Sequence, residues 1–243
     1  MKPDAPPVIH LLRSGSPPDP YLDAFAEADL EARCTPVLQF DFPHQETLAS
    51  YLKRPGRYGG LVVTSPRAVR AIADLFSEHP SWRAEWTKKP AFTVGPKTAL
   101  ALRAEGFAPE GEESGRAEEL VRVIASNTPE RPLLFCAGNR RRDTLPDGLD
   151  AAGVPFDEVE VYVTRTRTDI DLADGASCDW LIFFSPSGIE AIEQSPGVDA
   201  SRFRIGAIGP TTGAALRDAG WPPEAVASDP TPEALVDAVT DAL

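Results

Sequence analysis

An internal repeat restricts the fold of this chain more than any other feature. "GGLVVTSPRAV" at 59–69 and "DWLIFFSPSGI" at 179–189 each pass from a short apolar run through Ser-Pro into a helix start. The match continues in "AFTVGPKTALALRAEGF" (91–107) and "RIGAIGPTTGAALRDAGW" (204–221). There Gly95-Pro96 aligns with Gly209-Pro210, Thr98 with Thr212, Leu102-Arg103 with Leu216-Arg217, and Gly106 with Gly220. Further on, "EELV" (118–121) aligns with "EALV" (233–236). Spaced identities in one order imply two halves built on one plan.

The plan is an alternation of strands and helices. The runs "LVV", "LIFF", "LLF" and "VIHLL" are continuously apolar, as in strands buried on both faces of a parallel sheet. Val69, Ile72, Ala73 and Phe76 follow helical spacing, and so do Leu235, Val239 and Leu243. Strand–helix–strand order predicts an open α/β parallel sheet with right-handed crossovers in each half. The first copy carries an additional unit, "RPLLFCAGNRRRDTLPDGLDAAG" (131–153), whose counterpart is "PPVIHLLRSGSPPDPYLDAFAEADLEA" (6–32). The expected organisation is residues 1–36 plus 167–243 as one discontinuous lobe and 43–157 as the other. The β-prone segments 35–42 and 158–166 would cross between them, and two crossings would make a hinge beside a cleft.

Composition removes several function classes. The 243 residues suffice for two small cores. Hydrophobic content of 42% and charged content of 25% are those of a soluble globular protein. No apolar run reaches the roughly 18 residues of a membrane span, and the N-terminal run is too short for a signal peptide; a cytoplasmic location is expected. Cys34, Cys136 and Cys178 are far apart with no CxxC, and His10, His44 and His79 are scattered. Neither a disulfide framework nor a metal site is expected. A net charge of −13 disfavours nucleic acid, whereas a small anionic ligand is compatible with it if local donors are strong. "GNRRRD" and "GPKTAL" lack the spacing of a phosphate-binding GxxxxGK[ST] loop, and no GxGxxG follows a strand. No carboxylate pair or Ser-His-Asp set presents itself.

Ligands of open parallel sheets gather outside the carboxyl ends of the strands. Four junctions fall there: Ser65-Pro66, Gly95-Pro96, Ser185-Pro186 and Gly209-Pro210. Each places a capping residue before a proline suited to the first helical position. The next amides point outward with the positive end of the helix dipole, a setting for carboxylate or phosphate. Around these junctions stand Thr64, Ser65, Arg67, Lys97, Thr98, Ser185, Ser187, Thr211 and Thr212. Asn139 to Arg142 follow the strand "LLFCAG", and Tyr162 is an isolated polar aromatic in a crossing segment. Each also has a plain structural reading: an ordinary helix start, a solvated helix face, a packing tyrosine.

Taken in order, "DPYL", "TPVLQFDF", "YGGLVVTSPRAV", "VGPKTA", "PLLFCAGNRRRDTLP", "VYVT", "FFSPSGI", "AIGPTTGAAL" and "PTPEAL" resemble the uroporphyrinogen-III synthase family over residues 19 to 239. The resemblance implies two flavodoxin-like lobes joined by a two-stranded linker, with the N-terminal segment folded into the C-terminal lobe. It implies cyclisation of hydroxymethylbilane, a polycarboxylate linear tetrapyrrole, to uroporphyrinogen III. Water is lost and ring D is inverted through a spiro intermediate, with no metal or organic cofactor. Carried over by motif, Tyr162 in "VYVT" is the candidate catalytic residue. Thr98 and Thr212, with Ser65, Ser185 and Ser187, are candidates to bind substrate carboxylates, and Arg67 and Arg142 are charge partners. Thr64, Asn139 and Thr211 complete the expected substrate-binding set. A monomer without nucleic-acid or membrane partners is expected. The competing reading is a two-lobed, non-catalytic sensor of an anionic metabolite; a scaffold would have no need of matched anion-binding junctions.

Overall fold

A computed structural model describes residues 7–172 and 179–243; Cys178 lies outside the described residues. The chain divides into two compact units, Met1–Gln39 with Arg165–Leu243, and Phe40–Thr164.

With elements numbered along the whole chain, the discontinuous unit holds strands β1 (Val8–Leu12), β2 (Glu31–Cys34), β9 (Trp180–Phe183), β10 (Arg204–Ala207) and β11 (Ala225–Val226). Its helices are α1 (Pro20–Glu27), α8 (Pro186–Glu193), α9 (Pro210–Asp218) and α10 (Pro232–Thr240). The strands form one parallel sheet in the order β11-β10-β9-β1-β2. That is the flavodoxin-like order, whose direction of winding reverses between β1 and β9. Successive residues of β9 feed opposite faces, as the pleat requires. Leu181 and Phe183 pack with Ile189, Ile192 and Leu216. Trp180 and Ile182 pack with Phe25, Leu235 and Val239.

The contiguous unit is built on β4 (Gly60–Val63), β5 (Ala91–Phe92), β6 (Pro109–Glu110), β7 (Leu133–Gly138) and β8 (Phe156–Thr166), with β3 (Leu38–Asp41) at the edge. Its helices are α2 (Gln45–Leu52), α3 (Pro66–Glu78), α4 (Pro80–Trp86), α5 (Pro96–Ala104), α6 (Ala117–Ser126) and α7 (Thr144–Ala151). The sheet order is β3-β8-β7-β4-β5-β6, and the pairs from β8 to β6 are parallel. The spatial order of β8 to β6 matches that of the first sheet, with β7 and β8 in the places of β1 and β2. The winding therefore reverses between β7 and β4. Every residue of β4 and of β7 is buried, the reason both read as unbroken apolar runs. On α3 the buried stripe is Ala68, Val69, Ala71, Ile72, Leu75 and Phe76, and each large member contributes roughly 1.5–3 kcal/mol by leaving water.

The units divide between Gln39 and Phe40 and between Thr164 and Arg165. The β7–β8 ladder runs from Leu133↔Phe156 to Gly138↔Tyr162, carrying the contiguous unit beyond residue 157. The register slips by one between Ala137↔Glu160 and Gly138↔Tyr162, leaving Val161 as the extra residue of a β-bulge. From Glu158 to Val161 the strand alternates between exposed and buried; beyond Val161 the alternation stops. Among the described residues no helix is long and apolar enough to cross a membrane. His10 is 9% exposed and edge-on to Phe203. Burial pushes its pKa down, while nearby Asp179 pulls the other way.

Candidate active site

The carboxyl ends of the strands lead into four comparable helix starts, each with proline at the first helical position. They are not equally satisfied. At α3, Ser65 is extended and its Oγ accepts from the Arg67 N–H at 3.2 Å. At α8, the Ser185 hydroxyl is bonded to that of Ser187 at 2.7 Å and caps no amide. Gly95 and Gly209 have no side chain to offer α5 and α9. The N–H groups of Lys97, Ser187 and Thr211, at the second helical position, therefore have no acceptor among the described residues. Donors in that state at a helix start suit an anion. Gly95 is at φ +81°, where a side chain would be strained; Gly209, at φ 174°, is ordinary extended backbone.

Thr98 and Thr212 lie at the third helical position and are only 3% and 5% exposed. They belong to the helix faces that pack on the sheets, so Lys97 and Thr211 form the outer rim. Arg67 sits with its guanidinium 3.5 Å from the centroid of the Phe40 ring, a cation–π placement.

The contiguous unit has a cavity of about 550 Å³ where its winding reverses, lined by Thr64 after β4, Val94 after β5, and Arg141 and Arg142 after β7. Arg116, Glu118 and Phe135 also line it. The volume is that of a small-molecule site. The arginines differ. Arg141 donates to both oxygens of Glu158 and to Asp143, and these bonds hold its guanidinium firmly protonated. Arg142 and Arg116 make no ion pair among the described residues. Two such guanidinium groups, with Glu118 the one acid in the lining, make a cavity suited to carboxylate.

Tyr162 stands at the bulge of β8, half-buried against the core beneath α3. The Asn139 amide engages the backbone two residues beyond it: Thr164 N–H donates to Asn139 Oδ1 at 2.8 Å, and Asn139 Nδ2 donates to the Thr164 carbonyl at 3.3 Å.

The reversal point of the discontinuous unit is closed by its own side chains. Arg13, following β1, donates through Nη1 to Asp19 Oδ1 at 2.8 Å and Oδ2 at 3.0 Å. Its guanidinium lies 5.1 Å from the Tyr21 ring and 5.3 Å from that of Phe184. Asp19 is 5% exposed and also accepts from the N–H groups of Ser16 and Tyr21, capping α1. Burial raises its pKa, but the Arg13 bond and charge and the amide bonds more than offset this and leave the carboxyl below its ordinary range.

A sequence model of the family "Uroporphyrinogen-III synthase HemD" matches residues 19–237, nearly the whole chain. The chain belongs to this family. The uroporphyrinogen-III synthase of Schizosaccharomyces pombe is 32% identical over 244 residues, 94% of each chain. That of Saccharomyces cerevisiae is 31% identical over 208 residues, 74% of each chain. The fold agrees with the solved uroporphyrinogen-III synthetase from Helicobacter pylori at a TM-score of 0.64 and 17% identity, covering 98% of this chain and 99% of that one. It agrees with a mutant uroporphyrinogen III synthase from the extreme thermophile Thermus thermophilus at a TM-score of 0.56 and 14% identity, covering 97% and 98%.

In this uroporphyrinogen-III synthase family member the residues singled out from sequence fall into separate groups. Within the contiguous unit, Thr64 and Arg142 line one cavity, Ser65 and Arg67 occupy the adjoining helix start, Thr98 is buried in α5, and Asn139 is bonded to the Tyr162 strand. Within the discontinuous unit, Ser185 and Ser187 bond to one another and Thr211 is exposed beside buried Thr212. Arg116 is not among the residues that the sequence motifs single out, yet a signal for it exists. Aligning "EELV" with "EALV" puts Arg116 opposite Thr231, whose hydroxyl caps α10. Arginine at the cap of α6 makes no such bond and lines the cavity instead.

Proposed function

We propose that this chain catalyses closure of hydroxymethylbilane to uroporphyrinogen III in haem biosynthesis, losing water and inverting ring D. The family match across residues 19–237 carries this reading. In the proposed reaction the terminal hydroxyl leaves to give an azafulvene, which closes at the substituted carbon of ring D to a spiro intermediate. Fragmentation and reclosure then invert the ring. The relatives are synthases by name, which favours an enzyme over a sensor.

Arg116 and Arg142 are assigned to substrate carboxylates in the cavity that Thr64 also lines. The free amides at Lys97, Ser187 and Thr211 are assigned to further carboxylates, with Ser65, Ser185 and the small exposed surfaces of Thr98 and Thr212 as hydroxyl partners. These donors act at hydrogen-bond range, whereas the −13 background is screened over about 10 Å. Tyr162 is assigned to the departing hydroxyl as a positioned O–H donor. The larger task is orientation, because the azafulvene must meet the substituted carbon of ring D and not the free one. The reading includes a monomeric, cytoplasmic enzyme, which size-exclusion chromatography and fractionation would check.

Incubating purified protein with hydroxymethylbilane and separating isomers I and III tests the activity. Isomer III is expected as the main product; isomer I alone, at the spontaneous rate, would refute it.

A further inference from the structure

We propose that Gly138 and Asn139 are positioning residues which together set the place of the Tyr162 phenol. The inference deepens the reading of Tyr162 as catalytic and rests on it for its kinetic consequences.

Three observations converge. The first is the bulge. Without the extra residue, Val161 would stand opposite Gly138; with it, Tyr162 does. Both Val161 and Tyr162 then reach the same core cluster, a redirection that an unbroken strand would not allow. The second is the floor beneath the ring. A Cβ at Gly138 would lie 2.3 Å from Tyr162 Cζ and 2.6 and 2.7 Å from its Cε atoms. Those are the ring carbons nearest the hydroxyl, so the reactive end of the phenol rests directly on the Gly138 backbone. Any side chain there displaces it. The third is the clamp. Asn139 N–H donates to the Tyr162 carbonyl at 3.2 Å, and the Asn139 side chain makes its two bonds to Thr164. One residue thus pins β8 at the tyrosine and two positions beyond, where the regular ladder has been broken by the bulge.

This gives Asn139 a different part from that of a substrate ligand. Its carbonyl oxygen and one amide hydrogen are already engaged by the backbone that carries Tyr162.

The test uses the four tyrosines of the chain, Tyr21, Tyr51, Tyr58 and Tyr162. Protein labelled with 3-fluorotyrosine should give a ¹⁹F resonance from each site, the one lost in Tyr162→Phe being that of Tyr162. Gly138→Ala should shift the Tyr162 resonance and leave the others in place. It should lower kcat about 10- to 100-fold, the scale of a displacement of about 1 Å, with KM within about 3-fold. In a Tyr162→Phe background the same substitution should cost little further kcat. An unmoved Tyr162 resonance, or equal losses in both backgrounds, overturns the proposal. If Gly138→Ala does not fold, Asn139→Ala should shift the same resonance and lower kcat about 10-fold. Asn139→Asp keeps the acceptor for Thr164 N–H but sets a carboxylate oxygen against the Thr164 carbonyl, so it should shift the same resonance and lower kcat as well; an unmoved resonance and wild-type kcat in both Asn139 variants overturn the clamp. Full activity in Tyr162→Phe together with a moved resonance in Gly138→Ala would remove Tyr162 from the chemistry while supporting its placement by Gly138.

Discussion

The two sheets share one strand order, and each reverses its winding at one point: between β7 and β4 in the contiguous unit, between β1 and β9 in the discontinuous one. Arginine follows the strand at both points: Arg13 alone after β1, and Arg140, Arg141 and Arg142 after β7, of which Arg141 is paired to Glu158 and Asp143. Arg13 is 23% exposed, bonded to buried Asp19 and flanked by Tyr21 and Phe184. Gly15 beside it is so close that a Cβ would meet Cys34 Sγ at 2.9 Å. Arg142 lines a cavity of about 550 Å³ with no ion pair among the described residues. A duplicated topology offers the same crevice twice. On the function proposed above, the pairing of the arginines separates the two crevices: Arg13 and Arg141, neutralised internally, are structural, and Arg116 and Arg142 are the ones assigned to a ligand.

The largest expected effect tests that division. Arg142→Ala and Arg116→Ala should each raise KM for hydroxymethylbilane about 10- to 100-fold in steady-state kinetics, and together about 100-fold or more, since a hydrogen bond to a charged group contributes about 1.5–3 kcal/mol. Thermal and urea unfolding of the same variants should change by no more than about 0.5 kcal/mol per site. Unchanged KM would break the contrast. Asp19→Ala should show the opposite pattern, losing about 2–3 kcal/mol of stability in urea titration through the lost cap and the unpaired Arg13.

The pH dependence of stability sharpens the comparison further. Asp19 has a folded-state pKa below its unfolded value, so its contribution is fully present above the unfolded value, near 4. It is lost as pH falls through the folded value, and Asp19→Asn should flatten the melting-temperature profile there. His10 is also lowered, chiefly by burial. The unfolded chain therefore binds its proton first, and stability should begin to fall as pH drops below about 6.5. His10→Asn should remove that earlier step while leaving the acid one. The smallest effect concerns two glycines matched in the repeat. Gly95→Ala should destabilise by about 1 kcal/mol or somewhat more because φ is +81°, while Gly209→Ala, at φ 174°, escapes that strain and should be near neutral, the entropy gain offset by the poorer N-cap.

The fold class was legible because strands buried on both faces leave unbroken apolar runs: "GLVV" and "WLIF" are β4 and β9, each buried throughout. Strands β5 and β6, two residues each, leave no such trace. The helix starts were legible from Ser-Pro and Gly-Pro, but not which amides remain free, since that depends on whether a serine hydroxyl turns to an amide, as Ser65 does, or to another serine, as Ser185 does. Arg116 and Arg142 are 26 residues apart in number and meet only because β6 and β7 lie on opposite sides of β4 with loops on one rim. Gly138 read simply as the end of a strand; its closeness to Tyr162 depends on a register slip that no local pattern announces.

The central place of β1 has a consequence for biosynthesis. Its ladder joins Ile9 to Trp180, and Val8 N–H donates to Asp179 at 2.9 Å across 171 positions. On the ribosome the contiguous unit emerges whole while β1, paired to β2, still lacks its other neighbour β9. Strands β1 and β2 must therefore stay unaggregated until β9, about 170 residues later, has been made.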